Sequence, residues 1–148
     1  MSDSALVGLL PGSAQVDLAG TTVTGMGLSI GMVTVDCANP QQLAKFWTAA
    51  LDVQVQGDYG EFVFLGNPEG GGPLLGLQRV PEPRSGKNRV HVDLAGGTLA
   101  DEVPRLVSLG ATLIEEHEMP WLRWTVLADP EGNEFCVGEH QGDAGADA

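Results

Sequence analysis

The sequence predicts an α+β protein built from two tandem βαβββ modules. Apolar periodicity gives the order strand, helix and three strands, and this order occurs twice. Residues 81–87 separate the two runs as a linker, because two prolines and a glycine among charged residues cannot continue a sheet interior. The turn at 64–70 recurs at 126–132 with Asn or Asp, Pro, Glu and Gly in the same places, which indicates internal duplication.

Module one is predicted over residues 29–80. Its first strand, 29–37, has β-branched residues in near alternation, and Asn39 and Pro40 then end the strand and begin a helix. Three strands follow at 53–55, 61–65 and 74–78, separated by glycine-containing turns. The apolar stripe of the helix is expected to pack on the sheet and consists of Leu43, Phe46, Trp47, Ala50 and Leu51.

Module two is predicted over residues 88–140. It has a strand at 88–94, a helix at 99–109 that ends at Gly110, and strands at 112–114, 124–127 and 134–137. Alternation in the first strand directs one set of side chains to the helix and the other, on the opposite face, into the predicted cavity. The first set is Val90, Val92 and Leu94, and the second is Arg89, His91 and Asp93.

Composition restricts the partners of the chain. A net charge of −13 argues against nucleic acid and anionic membranes, both of which require basic patches. Cys37 and Cys136 fit no CxxC pattern, and neither a secretory signal nor an apolar membrane span occurs, so we expect a cytoplasmic protein with free thiols. Residues 1–28 are expected to form an extension of unassigned role, and residues 141–148 a disordered tail.

Four stretches together resemble the glyoxalase-like domains of the vicinal oxygen chelate superfamily. These are VTVDCANPQQLAKFW, GKNRVHVDL, DEVPRLVSLGAT and RWTVLADPEGNEFCV. The superfamily also holds bleomycin-resistance proteins, extradiol dioxygenases and epimerases. The resemblance implies curved mixed sheets around a small-molecule cavity, frequent homodimers, and in catalytic members a divalent metal held by His, Gln or Glu from four strands.

The resemblance places the metal-ligand positions of this chain on Met32, His91, Cys136 and a residue near Leu77 or Gln78. A thioether, an imidazole, a thiol and at most an amide suit neither a hard cation nor a catalytic zinc or iron ion, which require oxygen or several imidazole and carboxylate ligands. We therefore expect no metal and no cofactor.

Other chemistry remains open at the same residues. His91 with Asp93 could be a general acid or base pair, or could simply bond within the sheet. Cys136 could be a nucleophile if its pKa is lowered, or a packing residue. The connection that carries His117, Trp121, Arg123 and Trp124 could hold a planar ligand or form an ordinary surface loop. Further ligand-binding candidates are Met32, Thr34, Gln78, Arg89 and Cys136.

The leading functional hypothesis is a metal-independent protein that binds a small organic molecule, planar or cationic, and forms a homodimer. The alternatives are a lyase or isomerase with His91 as general base, and a metal-dependent enzyme of glyoxalase or dioxygenase type. No dinucleotide, nucleotide, serine-hydrolase or zinc-protease motif occurs in the sequence.

Overall fold

A computed structural model describes residues 15–16, 22–23 and 27–142. Strands β1 and β2 form a short antiparallel pair within the region that the sequence presents as an extension, at Gln15–Val16 and Thr22–Val23. Module one contains β3 (Met32–Cys37), α1 (Pro40–Leu51), β4 (Gln54–Asp58), β5 (Phe62–Gly66) and β6 (Leu74–Arg79). Module two contains β7 (Asp93–Leu94), α2 (Leu99–Leu109), β8 (Thr112–Met119), β9 (Leu122–Ala128) and β10 (Glu134–His140).

The two modules form sheets of the same topology. Sheet one has the order β3-β6-β5-β4 and sheet two the order β7-β10-β9-β8. In each sheet the first strand pairs parallel with the last, and the remaining neighbours are antiparallel. The predicted α+β fold of two tandem βαβββ modules with mixed sheets is therefore confirmed. Neither sheet closes on itself.

Capping residues in the sequence determine both ends of helix α1. The Asn39 side chain accepts a hydrogen bond from the Gln42 backbone N–H at 3.1 Å, and Pro40 occupies the first turn, where a missing N–H costs little. Asp52 ends the helix in the left-handed region with φ of 53°. The apolar stripe packs on sheet one as predicted, and its Trp47 is 3% exposed.

One core runs through both modules. The Phe135 ring of β10 packs against both rings of α1, with centroids 4.9 Å from Trp47 and 6.1 Å from Phe46. The Trp47 indole N–H also donates to Asp129 of module two at 3.1 Å, and both groups are buried. The Arg105 guanidinium of α2 donates to the Ala49 and Ala50 carbonyls at the end of α1. Module two therefore packs against the helix of module one.

The first strand of module two differs from its prediction. The sequence predicts a strand over 88–94, but only Asp93–Leu94 pair with β10 in the ladder. The Asn88 side chain donates to the Glu134 carbonyl at 3.1 Å and so occupies an acceptor on the neighbouring strand. Val92 and Leu94 pack against the core as expected, whereas Val90 is 72% exposed and does not meet the helix.

The other elements follow the predicted order. Helix α2 has the predicted bounds, with Thr98 as N-cap and Gly110 ending it at φ of 121°. Strands β8, β9 and β10 are longer than predicted, because they continue into segments such as 115–118 that show no apolar alternation in the sequence. In the described part of the chain, neither helix has the length and apolar character that crossing a membrane requires. The predicted disorder of residues 143–148 and most of the predicted extension lie outside the described residues.

Candidate functional site

A cavity of about 380 Å³ opens between β3 of module one and the unpaired segment before β7 of module two. We call it the seam cavity. Its walls are mainly apolar and come from both modules, which is typical of sites for small organic molecules. The apolar lining comprises Val33, Val35, Trp47, Leu51, Leu75, Val90, Val92, Leu94 and Phe135.

Polar groups lie among the lining of the seam cavity. They are Thr34, Asp36, Asn88, Arg89, Asn133 and Glu134. The Glu134 carboxylate pairs with Arg84 at 3.3 Å, and the Asn133 amide donates to the Asp36 carbonyl at 3.4 Å. A few polar groups beside apolar walls can fix the orientation of a ligand, while burial of its apolar part supplies affinity. Of the predicted ligand-binding residues, Thr34 and Arg89 line this cavity.

The strand register corrects one of the positions equivalent to metal ligands. Thr34 and Asp93 are equivalent, because each lies two residues after a predicted ligand position, Met32 or His91. Gly76 lies opposite Thr34, and Cys136 lies opposite Asp93. The counterpart of Cys136 is therefore Gly76, and not Leu77 or Gln78. A Cβ on Gly76 would lie only 2.8 Å from the Met32 sulfur and the Thr34 hydroxyl. This position therefore offers no ligand atom and has no room for one.

The four positions do not fit a metal ion. Met32 supplies a thioether, Gly76 nothing, His91 one imidazole and Cys136 a thiol, whereas catalytic sites use about three nitrogen or carboxylate ligands. Burial, followed by the charge of Asp93 and a hydrogen bond to it, raises the pKa of Cys136, which disfavours the thiolate that a metal needs. Within residues 27–142, no three His, Cys, Asp or Glu side chains come close enough to hold a metal ion.

The candidate acid–base residues of module two are only partly brought together. Asp93 interacts with the thiol of Cys136, but His91 and Asp93 share no hydrogen bond or ion pair among the described residues. His91 is exposed on the segment next to the seam cavity. A raised pKa leaves Cys136 protonated near neutral pH, so its surroundings favour packing over nucleophilic attack.

The predicted aromatic platform divides between two faces of sheet two. Trp121 lies at the turn between β8 and β9 and is 62% exposed. Alternation along β9 places Arg123 on the same face as buried Thr125, and Trp124 on the other face. The three residues are therefore not one loop surface, because Arg123 and Trp124 belong to a strand.

Trp124 has a partner in the segment that the sequence analysis singles out. His117 of β8 stacks on it with a centroid distance of 4.8 Å and an interplanar angle of 13°. The His117 ring nitrogen lies 3.2 Å from the Glu115 carboxylate, which pairs with the ring when it is protonated. Glu115, His117 and Met119 alternate after the predicted strand 112–114. Extending the strand through these residues would have revealed the cross-strand pair.

Met32 and Gln78 occupy the face of sheet one that is turned away from α1. Met32 packs toward Gly76, and the Gln78 amide donates to the carbonyls of Glu61 and Arg79 at 3.2 and 3.3 Å. Phe62, Phe64 and Tyr59 form an aromatic row on module one, with Tyr59 stacked on Phe64 at 5.9 Å. The Gln78 hydrogen bonds go to the backbone of the same sheet.

The turns between the last two strands of each module are structural. Gly70 N–H donates to the Asn67 carbonyl and Gly132 N–H to the Asp129 carbonyl, each at 2.9 Å. The Asp129 carboxylate also accepts from the backbone N–H groups of Glu131 and Asn133. This confirms that the Asn/Asp-Pro-Glu-Gly segments are turn chemistry, and Asp129 additionally anchors α1 through Trp47.

Two tandem βαβββ modules whose mixed sheets share one topology have the architecture of the vicinal oxygen chelate superfamily. The family model described as "Glyoxalase-like domain" matches residues 32–138, well over half of the chain. The chain therefore belongs to the glyoxalase-like domain family. None of the curated proteins matches it.

Solved structures support the same fold at low sequence identity. A glyoxalase/bleomycin resistance protein/dioxygenase family enzyme from Burkholderia phytofirmans PsJN has 19% identity and a TM-score of 0.63, covering 73% of this chain and 95% of its own. A glyoxalase/bleomycin resistance protein/dioxygenase from Nocardioides has 17% identity and a TM-score of 0.63, with 82% and 89% covered. Lactoylglutathione lyase from Agrobacterium tumefaciens has 19% identity and a TM-score of 0.57, with 78% and 96% covered.

Proposed function

We propose that this chain is a metal-independent binding protein that holds a small, planar and largely apolar organic molecule in the seam cavity. The observation that carries the proposal is the cavity itself, about 380 Å³ between the modules, with Trp47 and Phe135 in its apolar lining. This volume falls within the roughly 300–1,000 Å³ of ligand pockets that hold small organic molecules. Both rings are at most 3% exposed, so the partly exposed aliphatic side chains supply most of the surface that a ligand would meet, and they favour an apolar one.

The charges of the lining favour a neutral or weakly cationic ligand. Asp36, Arg89 and Glu134 are the charged residues of the lining, and the chain as a whole carries a net charge of −13. An anionic ligand would meet this negative field on approach, whereas a cationic group would be attracted. The Glu134 carboxylate is already paired with Arg84, and strand alternation puts the Asp36 side chain on the same face as Gln78, away from α1, so the attraction of a cation is a long-range effect of the net charge.

The proposal is tested by filling the cavity. We expect Val33→Trp, which adds a ring to the cavity lining, to weaken binding of the neutral planar dye Nile red by about tenfold, a loss of roughly 1.4 kcal/mol. The matched control is Val55→Trp on the exposed edge strand β4, which should bind as the unchanged protein does. A folded Val33→Trp variant with unchanged dye affinity would show that the seam cavity is not the site.

Metal independence and the oligomeric state are tested together by native mass spectrometry of untagged protein. We expect no bound divalent ion, because the ligand positions of the fold carry a thioether, a glycine, one imidazole and a protonated thiol. One tightly held ion per chain, removable by a chelator, would support the metal-dependent alternative instead. A co-purified organic adduct would begin identification of the ligand.

A homodimer in the cytoplasm is part of the proposal. Exposed apolar side chains on α2 and β8 support self-association, since a large apolar patch is disfavoured in contact with water. They are Val107, Leu109, Leu113 and Ile114. The free thiols of Cys37 and Cys136 support a reducing compartment. The same spectrum reports whether the main species is a dimer.

The alternative of a lyase or isomerase with His91 as general base has narrower support. A general base must lie within hydrogen-bond reach of its substrate, and His91 is exposed beside the seam cavity, with Arg89 near enough on the same segment to orient an anion. Turnover of a cavity ligand that His91→Ala abolishes without loss of affinity would establish this alternative. Unchanged turnover would remove it.

A further inference from the structure

The backbone edge of a strand forms part of the wall of the seam cavity. The cavity lining contains the consecutive residues 33–36 of β3. Successive side chains of a strand point to opposite faces of the sheet, so consecutive residues line one space together where the edge of the strand faces that space. Strand β3 is the outermost strand of sheet one and pairs with β6 on its other side. We call the side of β3 that borders the cavity the free edge.

The register shows which backbone groups lie on the free edge. The Gly31 carbonyl accepts a hydrogen bond from the Leu74 N–H at 2.9 Å, on the side of β6. Residues that bond to one neighbouring strand alternate with residues that face the other way, so the even-numbered residues of β3 point away from β6. Asp36 is one of them, and its carbonyl accepts from the Asn133 side chain at 3.4 Å. The backbone N–H and C=O of Thr34 make no hydrogen bond outside the ladder within the described residues.

An unpaired segment forms the other side of the seam cavity. Residues 88–90 and 92 contribute to the lining, and the chain bends within this segment. The Val92 carbonyl accepts from the Cys136 N–H, but residues 88–91 make no backbone–backbone hydrogen bond within the part of the chain that the structure describes. Two lengths of unpaired backbone, one from each module, therefore border the same cavity.

Side-chain amides already bond to backbone carbonyls at the borders of the cavity. The Asn133 amide donates to the Asp36 carbonyl of β3, and the Asn88 amide donates to the Glu134 carbonyl of β10 at 3.1 Å. All four residues line the cavity. An amide carries a donor and an acceptor, which matches the N–H and C=O that Thr34 presents side by side. The hydrogen-bonding chemistry that suits the free edge is therefore that of a further amide.

Apolar side chains flank the free edge on the side of the helices. Val35, Leu51 and Leu75 line the seam cavity and are only partly buried. A peptide that is added to the edge of a sheet places alternate side chains on one face, while its main-chain hydrogen bonds supply affinity. The free edge therefore suits a chain that carries an apolar side chain next to its amide.

We propose that the ligand of the seam cavity is a short extended chain with a secondary amide beside an apolar group, as in a peptide, and that it pairs with the Thr34 N–H and C=O as an added strand. The inference rests on the function proposed above, because it names the class of molecule that the same cavity holds. A neutral amide needs no counter-ion, so it is compatible with the acidic character of the chain.

Titration of the isotope-labelled full chain with two matched ligands, followed by the NMR signal of the Thr34 amide, tests the proposal. The first ligand is N-acetyl-leucine methylamide. The second is its depsipeptide analogue, in which an ester oxygen replaces the leucine N–H. We expect the amide to bind about fivefold more tightly and to shift the Thr34 signal, because the ester cannot donate to the Thr34 carbonyl.

The outcomes separate this proposal from the function on which it rests. Equal affinity for the two ligands, or no binding of either, would overturn the amide proposal. Displacement of Nile red is measured on the same samples and reports the seam cavity itself. Dye that binds and is displaced equally by both ligands would leave the cavity as a binding site for apolar molecules without a preference for amides.

A pair of variants tests the backbone group directly. Thr34→Pro removes the N–H on the free edge and leaves the ladder to β6 intact, since proline is tolerated where an edge N–H faces away from the sheet. Thr34→Ala removes the same side chain but keeps the N–H. We expect the proline variant to bind the methylamide about fivefold more weakly than the alanine variant, and equal affinities would overturn the proposal. The comparison of the two ligands on the unchanged chain decides the matter if Thr34→Pro does not fold.

Discussion

The two modules have the same strand order but bury their helices to different extents. Helix α1 buries six residues against sheet one and the shared core, whereas α2 buries only Leu99 and Leu106. Strand β8, beneath α2, is exposed along almost its whole length. The difference shows that a duplicated pattern of apolar residues predicts topology, while the depth of packing depends on what each module meets on its other side.

Module one supplies most of the core that both modules share. Phe46 and Trp47 of α1 contact Phe135 of module two, and the Asp129 carboxylate fixes the indole of Trp47. Module two holds α2 more loosely and leaves a cleft of about 730 Å³ between α2 and the strands β8–β10. Side chains that do not fill this space leave it to solvent.

The largest effect is expected where the modules meet. Phe135→Ala removes a ring that is 2% exposed and should lower the free energy of unfolding by about 3–5 kcal/mol. The matched control is Leu113→Ala on exposed β8, which should cost less than about 1 kcal/mol. Urea denaturation followed by tryptophan fluorescence measures both. Similar losses for the two variants would contradict the view that the core lies at the junction with α1.

Equivalent turn residues should differ in importance between the modules. Asp129 accepts four hydrogen bonds, including one from buried Trp47, whereas its counterpart Asn67 accepts one from the Glu69 N–H. We expect Asp129→Ala to cost about 3 kcal/mol and Asn67→Ala about 1 kcal/mol, because only the first leaves a buried donor unsatisfied. Thermal unfolding of the two variants measures the difference, and equal costs would show that the Trp47 hydrogen bond contributes little.

A third effect concerns glycines on the last strands of the two modules. A Cβ at Gly76 of β6 would lie 2.8–2.9 Å from Met32, Thr34 and Phe62. Gly76→Ala should therefore cost about 1–2 kcal/mol. At Gly138 of β10 the nearest atoms are 3.7 Å away, so Gly138→Ala should be nearly neutral. If Gly76→Ala proved as stable as Gly138→Ala in urea denaturation, Met32 would be shown to move aside and leave space at this position.

The fold was largely predictable because local signals and global topology agree. The bounds of α2 follow from Thr98 and Gly110, and the burial of Trp47 follows from the apolar stripe of α1. The strand at 88–94 was overpredicted, since alternation shows which face a side chain takes but not whether the backbone has a partner. The Asn88 side-chain amide donates to the Glu134 carbonyl of β10 and so competes with the strand backbone for this acceptor. The apolar periodicity of a sequence does not reveal such competition.

The candidate site was harder to predict, because it depends on register and on contacts between the modules. The glycine-rich turn before β6 is two residues longer than its counterpart in module two, so the sequence repeat does not give the register directly, and the counterpart of Cys136 was placed near Leu77 or Gln78 instead of at Gly76. The seam cavity arises from a missing stretch of ladder, and the stack of His117 on Trp124 requires that β8 continue through a polar segment. No local pattern encodes these arrangements.

The smallest expected effect concerns the two thiols, one in each module. Burial raises the pKa of Cys37 to about 11, with contributions from the Glu131 and Asp129 charges, and burial together with Asp93 raises the pKa of Cys136. A raised thiol pKa means less thiolate at pH 8, so both should react with iodoacetamide more slowly than a free cysteine. Peptide mass spectrometry after timed alkylation measures the two rates separately.

The substitution Asp93→Asn tests how much the Asp93 carboxylate contributes to the slow reaction of Cys136. The substitution removes a negative charge and an acceptor for the Cys136 thiol, so the pKa of Cys136 should fall and its alkylation at pH 8 should accelerate. Cys37 in module one provides the internal control, because Asp93 is not among the groups that raise its pKa. Unchanged alkylation of Cys136 would mean that burial alone suppresses its reactivity. Faster alkylation would mean that the Asp93 carboxylate keeps the Cys136 thiol protonated and opposes a nucleophilic role. Asp93 is the residue of module two that is equivalent to Thr34 in module one.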